Sequence, residues 1–334
     1  MNKKKITIVG GAGFIGHNLA LDLVDSNYEV AIIDSLSINN LLCSESISRN
    51  TIYSKMLNER LDLLNKNNIK LIIQDARNYH ALSKELEKLD PDILIHLAAV
   101  SHANESNKNP YNTFDHSLRT LENSLDWAKS KKCQFIYLSS SMVYGDFNNE
   151  ILDEEYNCKP IGIYGNLKLC GELMVKSYQQ VFDLPYTIIR PSALYGERCI
   201  SRRVGQVFIE CALSNKPLQI SGNGEDKLDF TYIKDLTKGI MLCCNNEKAF
   251  NQIFNITYGN ARKIIELTEI MKEYFSNISI IKIERDKLMP ERGTLDNSKA
   301  KELINFSPNF PLEIGYKSYV KWYIDFWKKN NQII

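Results

Sequence analysis

Short runs of apolar, mainly β-branched residues alternate with longer segments of helical pattern through the first two-thirds of the chain. The apolar runs predict strands at residues 6–9, 30–33, 71–73, 93–97, 135–138 and 186–189. The helical segments between them begin near Phe14, Tyr79, Tyr111 and Tyr164. Because each strand is apolar throughout, the alternation predicts a parallel sheet that helices cover on both faces.

Other segments depart from this alternation. Residues 38–68 are polar with leucines at helical spacing, which predicts a helical insertion whose role the sequence does not indicate. After residue 190 short strands and helices are mixed, which is typical of a second lobe. A glycine turn at 222–224 precedes an apolar segment near 230–236, where we expect the chain to return to the large sheet.

The fold class that follows is α/β, a Rossmann-like, doubly wound parallel sheet with a smaller, mixed α/β C-terminal lobe. At 334 residues the chain exceeds one typical domain. We expect residues 1–189 to form the Rossmann domain, with a return segment near 229–258. Residues 190–334 are expected to form the smaller lobe.

Charge and cysteine content exclude several classes of protein. The formal net charge is +1, from 41 basic and 40 acidic residues, which argues against a nucleic-acid or membrane surface. No apolar run reaches the ~20 residues of a membrane span. The eight cysteines are scattered, without a CxxC pair. We therefore expect reduced thiols, a cytoplasmic protein and no metal site.

The segment GGAGFIG at residues 10–16 follows the first predicted strand and opens a helix. Glycines at 10, 13 and 16 permit a tight turn and let the backbone approach a pyrophosphate at the helix N-terminus. Asp34 ends the next predicted strand. A carboxylate there can accept both adenosine-ribose hydroxyls and repels a 2′-phosphate, so the pattern predicts NAD rather than NADP. A turn or helix-capping role is the alternative for Asp34.

Tyr164 and Lys168 are four residues apart, so they share one face of a helix. A neighbouring cation favours the phenolate and lowers the tyrosine pKa, which makes the phenol a usable base. This spacing also arises by chance, but here it follows the serines at 139–141, just past a predicted strand. In a doubly wound fold that position lines the ligand crevice, although a serine there can also cap a helix.

These segments resemble the extended short-chain dehydrogenase/reductase family, specifically its NAD-dependent nucleotide-sugar epimerase/dehydratase branch. The resemblance covers nearly the whole chain. The matching segments, in the family's order, are GGAGFIG at 10–16, DSLS at 34–37, DA at 75–76, HLAA at 96–99, SSSMVYG at 139–145, YGNLK at 164–168, RPSALYG at 190–196 and LDFTYIKD at 228–235.

The resemblance implies that Tyr164, Lys168 and Ser140 are catalytic. Tyr164 would remove the proton of a sugar hydroxyl while hydride passes to the nicotinamide, and Ser140 would hydrogen-bond the same hydroxyl. Lys168 would bind the nicotinamide ribose and stabilise the phenolate. In epimerases the keto sugar then turns over, and hydride returns to its other face.

The resemblance also implies binding sites and partners. Residues expected at NAD are Gly10, Gly13, Phe14, Ile15, Gly16, Asp34, Ser35, Asn39, Asp75, Ala76, Leu97, Ala98, Ala99, Tyr164, Lys168 and Pro191. Residues expected at a nucleotide-sugar substrate, itself expected to be UDP-linked, are Ser101, Ser140, Ser141, Tyr164, Arg198 and Arg292. A homodimer is expected through helices near 111–128 and 164–181, where Leu121, Leu125, Leu169 and Leu173 fit either an interface or the core.

Departures from the family pattern bear on the reaction. Family dehydratases carry an Asp–Glu pair where this chain has Ser141 and Met142, which favours epimerisation, expected at sugar C4. Leu228 stands where many members have an arginine that grips the substrate diphosphate, and Arg292 and Arg198 are the candidate replacements. The alternatives are an NAD-dependent nucleotide-sugar dehydrogenase or 4,6-dehydratase, and a non-catalytic NAD-binding scaffold or sensor.

Overall fold

A computed structural model describes most of the chain, namely residues 3–38, 51–101, 103–131, 133–148, 150–244, 246–286 and 288–331. Its strands are β1 (Lys5–Val9), β2 (Glu29–Asp34), β3 (Lys70–Ile73), β4 (Ile93–His96), β5 (Gln134–Leu138), β6 (Tyr186–Arg190), β7 (Leu194–Tyr195), β8 (Leu218–Ser221), β9 (Lys227–Leu228), β10 (Thr231–Tyr232), β11 (Gln252–Asn255), β12 (Arg262–Lys263) and β13 (Ile280–Ile283).

Helices occupy the intervals between most of these strands. They are α1 (Phe14–Asp25), α2 (Thr51–Lys66), α3 (Tyr79–Leu89), α4 (Ala103–Lys108), α5 (Pro110–Phe114), α6 (Thr120–Ala128), α7 (Gly162–Phe182), α8 (Val204–Leu213), α9 (Ile233–Cys244), α10 (Ile264–Met271), α11 (Ser298–Ile304) and α12 (Leu312–Asn331). A π-helical turn, Asp115–Arg119, joins α5 to α6. Across the described ranges, no helix combines the length and the apolar character that crossing a membrane requires.

Seven strands form one parallel sheet in the order β11-β6-β5-β4-β1-β2-β3. All six predicted strands are present in it, and β11 is the seventh. Alternate residues of each central strand enter opposite cores: Ile93 and Ile95 of β4 pack on one face, and Leu94 packs on the other. Because both faces are covered, the strands are apolar throughout, which confirms the Rossmann-like fold class.

The chain returns to the large sheet at β11, which lies within the segment expected near 229–258 but after its apolar start. β11 pairs with β6, with Ile253 opposite Ile188. The segment near 230–236, where we expected the return, instead forms β10, which pairs with β7 in a separate two-stranded sheet, and the start of α9. Tyr232 is buried there against Tyr195. The segment is therefore apolar because it packs in the core beneath the second lobe.

The predicted helical insertion contains α2, and its contacts show what this helix does. The Tyr53 hydroxyl donates to Oε1 of Glu210 in α8 at 2.7 Å. The Lys55 ammonium donates to the carbonyl oxygen of Asn330 in α12 at 2.6 Å. Helix α2 therefore follows the second strand of the sheet and packs against the C-terminal lobe.

Candidate active site

The glycine segment lies where β1 turns into α1. Gly10 has φ +81°, and its amide donates to the carbonyl oxygen of Ile33 at 2.8 Å. A Cβ atom at Gly10 would lie 2.5 Å from the amide nitrogen of Ala98. Only glycine therefore permits this backbone to lie so close to the segment that follows β4.

The N-terminus of α1 is open toward a narrow cavity. Its N-cap residue is Gly13, and no side chain caps the first turn. The nearest atom to a Cβ at Gly13 would be the carbonyl oxygen of Gly10, at 3.5 Å. The first-turn amides and the positive end of the helix dipole can therefore receive a pyrophosphate.

Asp34 ends β2 and lines the same cavity. Its Oδ2 accepts from the amide of Ala12 at 2.9 Å, and its Oδ1 accepts from the amide of Leu36 at 2.8 Å. Burial raises the pKa of this carboxyl, and the two backbone hydrogen bonds oppose that shift. Asp34 thus has the turn role that the sequence left open, and it also faces the place expected for the adenosine ribose.

The cavity has a volume of about 130 Å³ and collects most of the residues that we assigned to NAD. Those that line it are Gly10, Gly13, Phe14, Ile15, Gly16, Asp34, Ser35, Asp75, Ala76, Leu97, Ala98 and Ala99. Asn39 lies outside the described residues. An open helix end, a close glycine turn and a carboxylate at the end of β2 fit a dinucleotide.

A second cavity of about 440 Å³ adjoins the first, because Ile15, Leu97, Ala99 and Ser101 line both. The remaining predicted site residues that line it are Ser140, Ser141, Tyr164, Lys168, Pro191 and Arg292. The three residues expected to be catalytic, Ser140, Tyr164 and Lys168, thus line the same cavity, the larger one.

Tyr164 lies in the first turn of α7, opposite the end of β5. The Ser140 side chain lies beside its phenol and acts to lower the pKa of that phenol. Ser140 also caps the 3₁₀ turn that follows it, accepting from the amide of Met142 at 3.2 Å. The hydroxyl of Ser140 therefore has both roles that the sequence left open.

Burial raises the pKa of the Tyr164 phenol, while Arg203, the Ser140 side chain and Arg292 act in the opposite direction. Lys168 is not among these groups, so the expectation that it lowers this pKa stays a prediction. The Lys168 ammonium is buried and donates to the carbonyl oxygen of Leu138 at 2.6 Å. Burial also lowers the pKa of Lys168 to about 8, opposed by the charge of Glu172.

Glu172 connects α7 to the ends of two strands. It forms a bidentate ion pair with Arg190 of β6, with Nε–Oε1 and Nη2–Oε2 distances of 2.9 and 2.6 Å. Its Oε1 also accepts from the Ser139 hydroxyl at 2.5 Å. Since Ser139 precedes Ser140, this cluster sets the position of α7, and hence of Tyr164, relative to Ser140.

The two arginines proposed as substrate contacts lie in different places. Arg292 lines the larger cavity, where its guanidinium donates to the hydroxyls of Ser141 and Ser192. Arg198 lines neither cavity, which corrects our expectation that it contacts the substrate. Its Nε donates to Nε2 of His17 at 2.9 Å, because the side chain packs against α1 instead.

Several cationic residues of the larger cavity escaped the sequence analysis. They are Arg202, Arg203, Lys227 and Arg285. For Arg202 and Arg203 the sequence did offer a signal, namely two adjacent arginines shortly after the RPSALYG segment. Arg203 also lines the narrow cavity, so its charge lies between the two ligand spaces.

Comparison with known proteins identifies the family. Residues 6–257 match the NAD dependent epimerase/dehydratase family. A putative UDP-glucose 4-epimerase from Methanocaldococcus jannaschii is 30% identical over 98% of this chain and 99% of its own length. The crystal structure of UDP-glucuronic acid 4-epimerase from Bacillus cereus, in complex with UDP-glucuronic acid and NAD, is similar at a TM-score of 0.87.

That Bacillus cereus chain is 27% identical to this one, and the match covers 96% of this chain and 99% of that one. UDP-N-acetylglucosamine 4-epimerase from Methanobrevibacter ruminantium M1, in complex with UDP-N-acetylmuramic acid, is similar at a TM-score of 0.85. It is also 27% identical, with 97% of this chain and 99% of that chain covered. The chain therefore belongs to the NAD-dependent epimerase/dehydratase family of enzymes, as its motifs indicated.

Proposed function

We propose that this protein inverts C4 of a UDP-linked sugar, with NAD as a cofactor that is regenerated in each cycle. The observation that carries the proposal is that Ser140, Tyr164 and Lys168 all line the larger cavity, which adjoins the dinucleotide cavity. The UDP-sugar 4-epimerases that the chain resembles support the same reaction.

In this proposal Tyr164 is the base that takes the proton of the C4 hydroxyl and later returns it. Ser140 would hold the same hydroxyl, since its side chain lies beside the phenol in the larger cavity. Lys168 would bind the nicotinamide ribose. Its ammonium also supplies a positive charge on the face of α7 that carries the Tyr164 phenol. Bound NAD would accept the C4 hydride and donate it back to the other face of the keto sugar.

The residues beside Ser140 favour epimerisation over dehydration. A 4,6-dehydratase needs an acid and a base near the sugar 6-hydroxyl. The side chains at that position are Ser141, which accepts a hydrogen bond from Arg292, and Met142, whose sulfur lies 2.9 Å from Nη1 of Arg292. A dehydrogenase or dehydratase remains the alternative enzyme, and a scaffold that binds NAD without turnover is the alternative outside catalysis.

The charge of the larger cavity supports a diphosphate-containing substrate. Among its described lining residues, Arg202, Arg203, Lys227, Arg285 and Arg292 are cationic. Asp226 and Asp286 are the carboxylates there, and Oδ2 of Asp226 lies 3.0 Å from Nε of Arg285. The excess of arginines can replace the cation that the family usually has where this chain carries Leu228.

The test is a panel of UDP-linked sugars incubated with the NAD-loaded, full-length protein and followed by NMR. We expect interconversion of one C4-epimeric pair, with no net change in absorbance at the reduced-nicotinamide band. Net nicotinamide reduction or a 6-deoxy-4-keto product would instead support the alternative enzymes. No reaction with any sugar, with NAD bound, would contradict the proposal.

Replacing Tyr164 with Phe separates an enzyme from a scaffold. We expect Tyr164→Phe to lower kcat by about 10²- to 10⁴-fold, because the base is lost. The variant should still bind NAD, as measured by calorimetry. A scaffold that binds NAD without catalysis would show no turnover in either protein.

We also propose a homodimer that works in the cytoplasm. Leu121 and Leu125 are fully buried core residues, whereas Leu173 of α7 is 56% exposed and Tyr111 of α5 is 85% exposed. Exposed apolar side chains on α5 and α7 support an interface between copies. The seven described cysteines carry free thiols, which suits a reducing compartment. Light scattering coupled to size exclusion would test the dimer, and a monomer mass would contradict it.

A further inference from the structure

Helix α2 carries a buried arginine that faces the dinucleotide cavity. Arg60 is 1% exposed, and it lines the narrow cavity together with Asp34 and Ser35. Its Nε and Nη2 both donate to the carbonyl oxygen of Arg198, at 3.1 Å for Nε. Its Nη1 is buried and has no hydrogen-bond partner within the described part of the chain.

A buried guanidinium nitrogen without an acceptor is unfavourable, because it has lost water and gained no replacement. Burial lowers the pKa of Arg60 to about 10, and the Asp34 carboxylate acts in the opposite direction. The side chain therefore stays charged at neutral pH. Asp34 does not supply the missing acceptor, because Nη1 has no hydrogen-bond partner among the residues described. The Asp34 oxygens accept from the amides of Ala12 and Leu36 and keep further lone pairs for a ribose hydroxyl.

We propose that Nη1 of Arg60 binds the adenosine ribose of NAD, as the donor that complements the Asp34 acceptor. A ribose hydroxyl that donates to Asp34 keeps free lone pairs, and Arg60 supplies the donor that fills one of them. The hydroxyl then lies between an anion and a cation that both line the cavity.

This arrangement has a consequence for cofactor choice. Asp34 repels a 2′-phosphate, whereas a guanidinium is well suited to bind one. The cation needed for NADP is therefore already present, and the Asp34 charge alone excludes that cofactor. Neutralising Asp34 should uncover a 2′-phosphate site that depends on Arg60.

The experiment measures NAD and NADP affinities by calorimetry on the full-length protein after bound nucleotide is removed. We expect Asp34→Asn to shift the ratio of affinities toward NADP by about 10- to 100-fold, as for a charge-assisted hydrogen bond. Arg60→Gln in the Asp34→Asn background should abolish this shift, because the glutamine amide can still donate to the Arg198 carbonyl but carries no charge. Arg60→Lys should retain part of it.

Arg198→Met in the Asp34→Asn background is the matched control. It removes a neighbouring guanidinium that lines neither cavity, so the shift should persist. Thermal melting shows that each variant is folded, and the ratio of affinities is insensitive to a general loss of binding. The proposal is overturned if Asp34→Asn with Arg60→Gln prefers NADP as strongly as Asp34→Asn alone, or if Arg198→Met abolishes the shift equally.

Discussion

Tyr164 holds its proton in the nucleotide-free protein, since burial raises the pKa of the phenol. The groups that oppose this shift are Arg203, the Ser140 side chain and Arg292. The effective cations therefore come from the C-terminal lobe, at the N-terminal end of α8 and in the segment after β13. At the scale of single residues, the rise in the pKa of the proposed base is opposed by charged residues of the other lobe that pack near it.

Removing the charge of Arg203 should change the pH dependence of turnover. Arg203→Gln raises the pKa of Tyr164 further, so a higher pH is needed before the phenol can accept a proton. We expect the ascending limb of log(kcat/KM) against pH to move to higher pH. Arg202→Gln is the matched control, because Arg202 lines the same cavity and is not among the groups that shift this pKa. An equal movement of the limb in both variants would contradict this account.

The sequence was sufficient to place Tyr164 and Lys168 on one face of a helix, but not to predict which charges lie around Tyr164. Tyr164 and Lys168 are separated by one helical turn, so their spacing could be read directly. Arg203 reaches Tyr164 only through the packing of the two lobes, and Arg198 faces α1 instead of the cavity. The directions of the Arg198 and Arg203 side chains do not follow from the local sequence pattern. Both residues lie outside regular helices, where spacing along the chain does not fix the direction of a side chain.

At the scale of elements, α7 is held in place by a buried charge cluster. The side chains of Arg190 and Glu172 are 3% and 1% exposed, and Ser139 donates to the same carboxylate. Burying two charges is unfavourable unless both are fully paired, so the cluster is sensitive to the loss of either partner.

Glu172→Gln should destabilise the protein by about 3–5 kcal/mol, since Arg190 would remain buried without its counter-charge. Chemical denaturation monitored by circular dichroism measures this loss. Glu87→Gln is the control, because Glu87 pairs with Lys131 on the exposed surface. We expect Glu87→Gln to leave the free energy of unfolding unchanged. A comparable loss of stability in both variants would contradict a special role for the buried Glu172–Arg190 pair.

Six strands of the large sheet were predictable because each contains a short run of mainly apolar residues. The π-helical turn between α5 and α6 was not, since one additional residue in a helix leaves the apolar spacing almost unchanged. The return segment expected near 229–258 contains β11, but the sequence did not single out this strand. Its pattern resembles that of the neighbouring short strands, and its partner β6 lies far away in the sequence.

The two lobes are joined at the scale of the whole molecule by α2. The Glu210 carboxylate of the C-terminal lobe accepts from Tyr53 of α2, from Gln206 at 2.7 Å and from Tyr323 at 2.6 Å. The sequence predicted a helix in this insertion but not its role, because the polar partners of α2 are more than a hundred residues away.

Tyr53→Phe should lower the free energy of unfolding by about 1 kcal/mol, because one donor to Glu210 is lost while two remain. It should also accelerate hydrogen exchange in α2. The control is Tyr79→Phe, whose hydroxyl bonds Asp126 at the exposed surface. Faster exchange in α2 only with Tyr53→Phe would support the role of this helix in joining the lobes, and an unchanged rate would refute it.

The late position of β11 has a consequence during synthesis. The hydrogen-bonding edge of β6 is complete once residue 190 has left the ribosome, but the strand that covers it ends at Asn255. Until then β6, whose residues are all buried in the folded protein, presents unpaired backbone groups. An edge of this kind recruits strands from other chains. Nascent chains stalled in this interval should therefore be the form of this protein most dependent on chaperones.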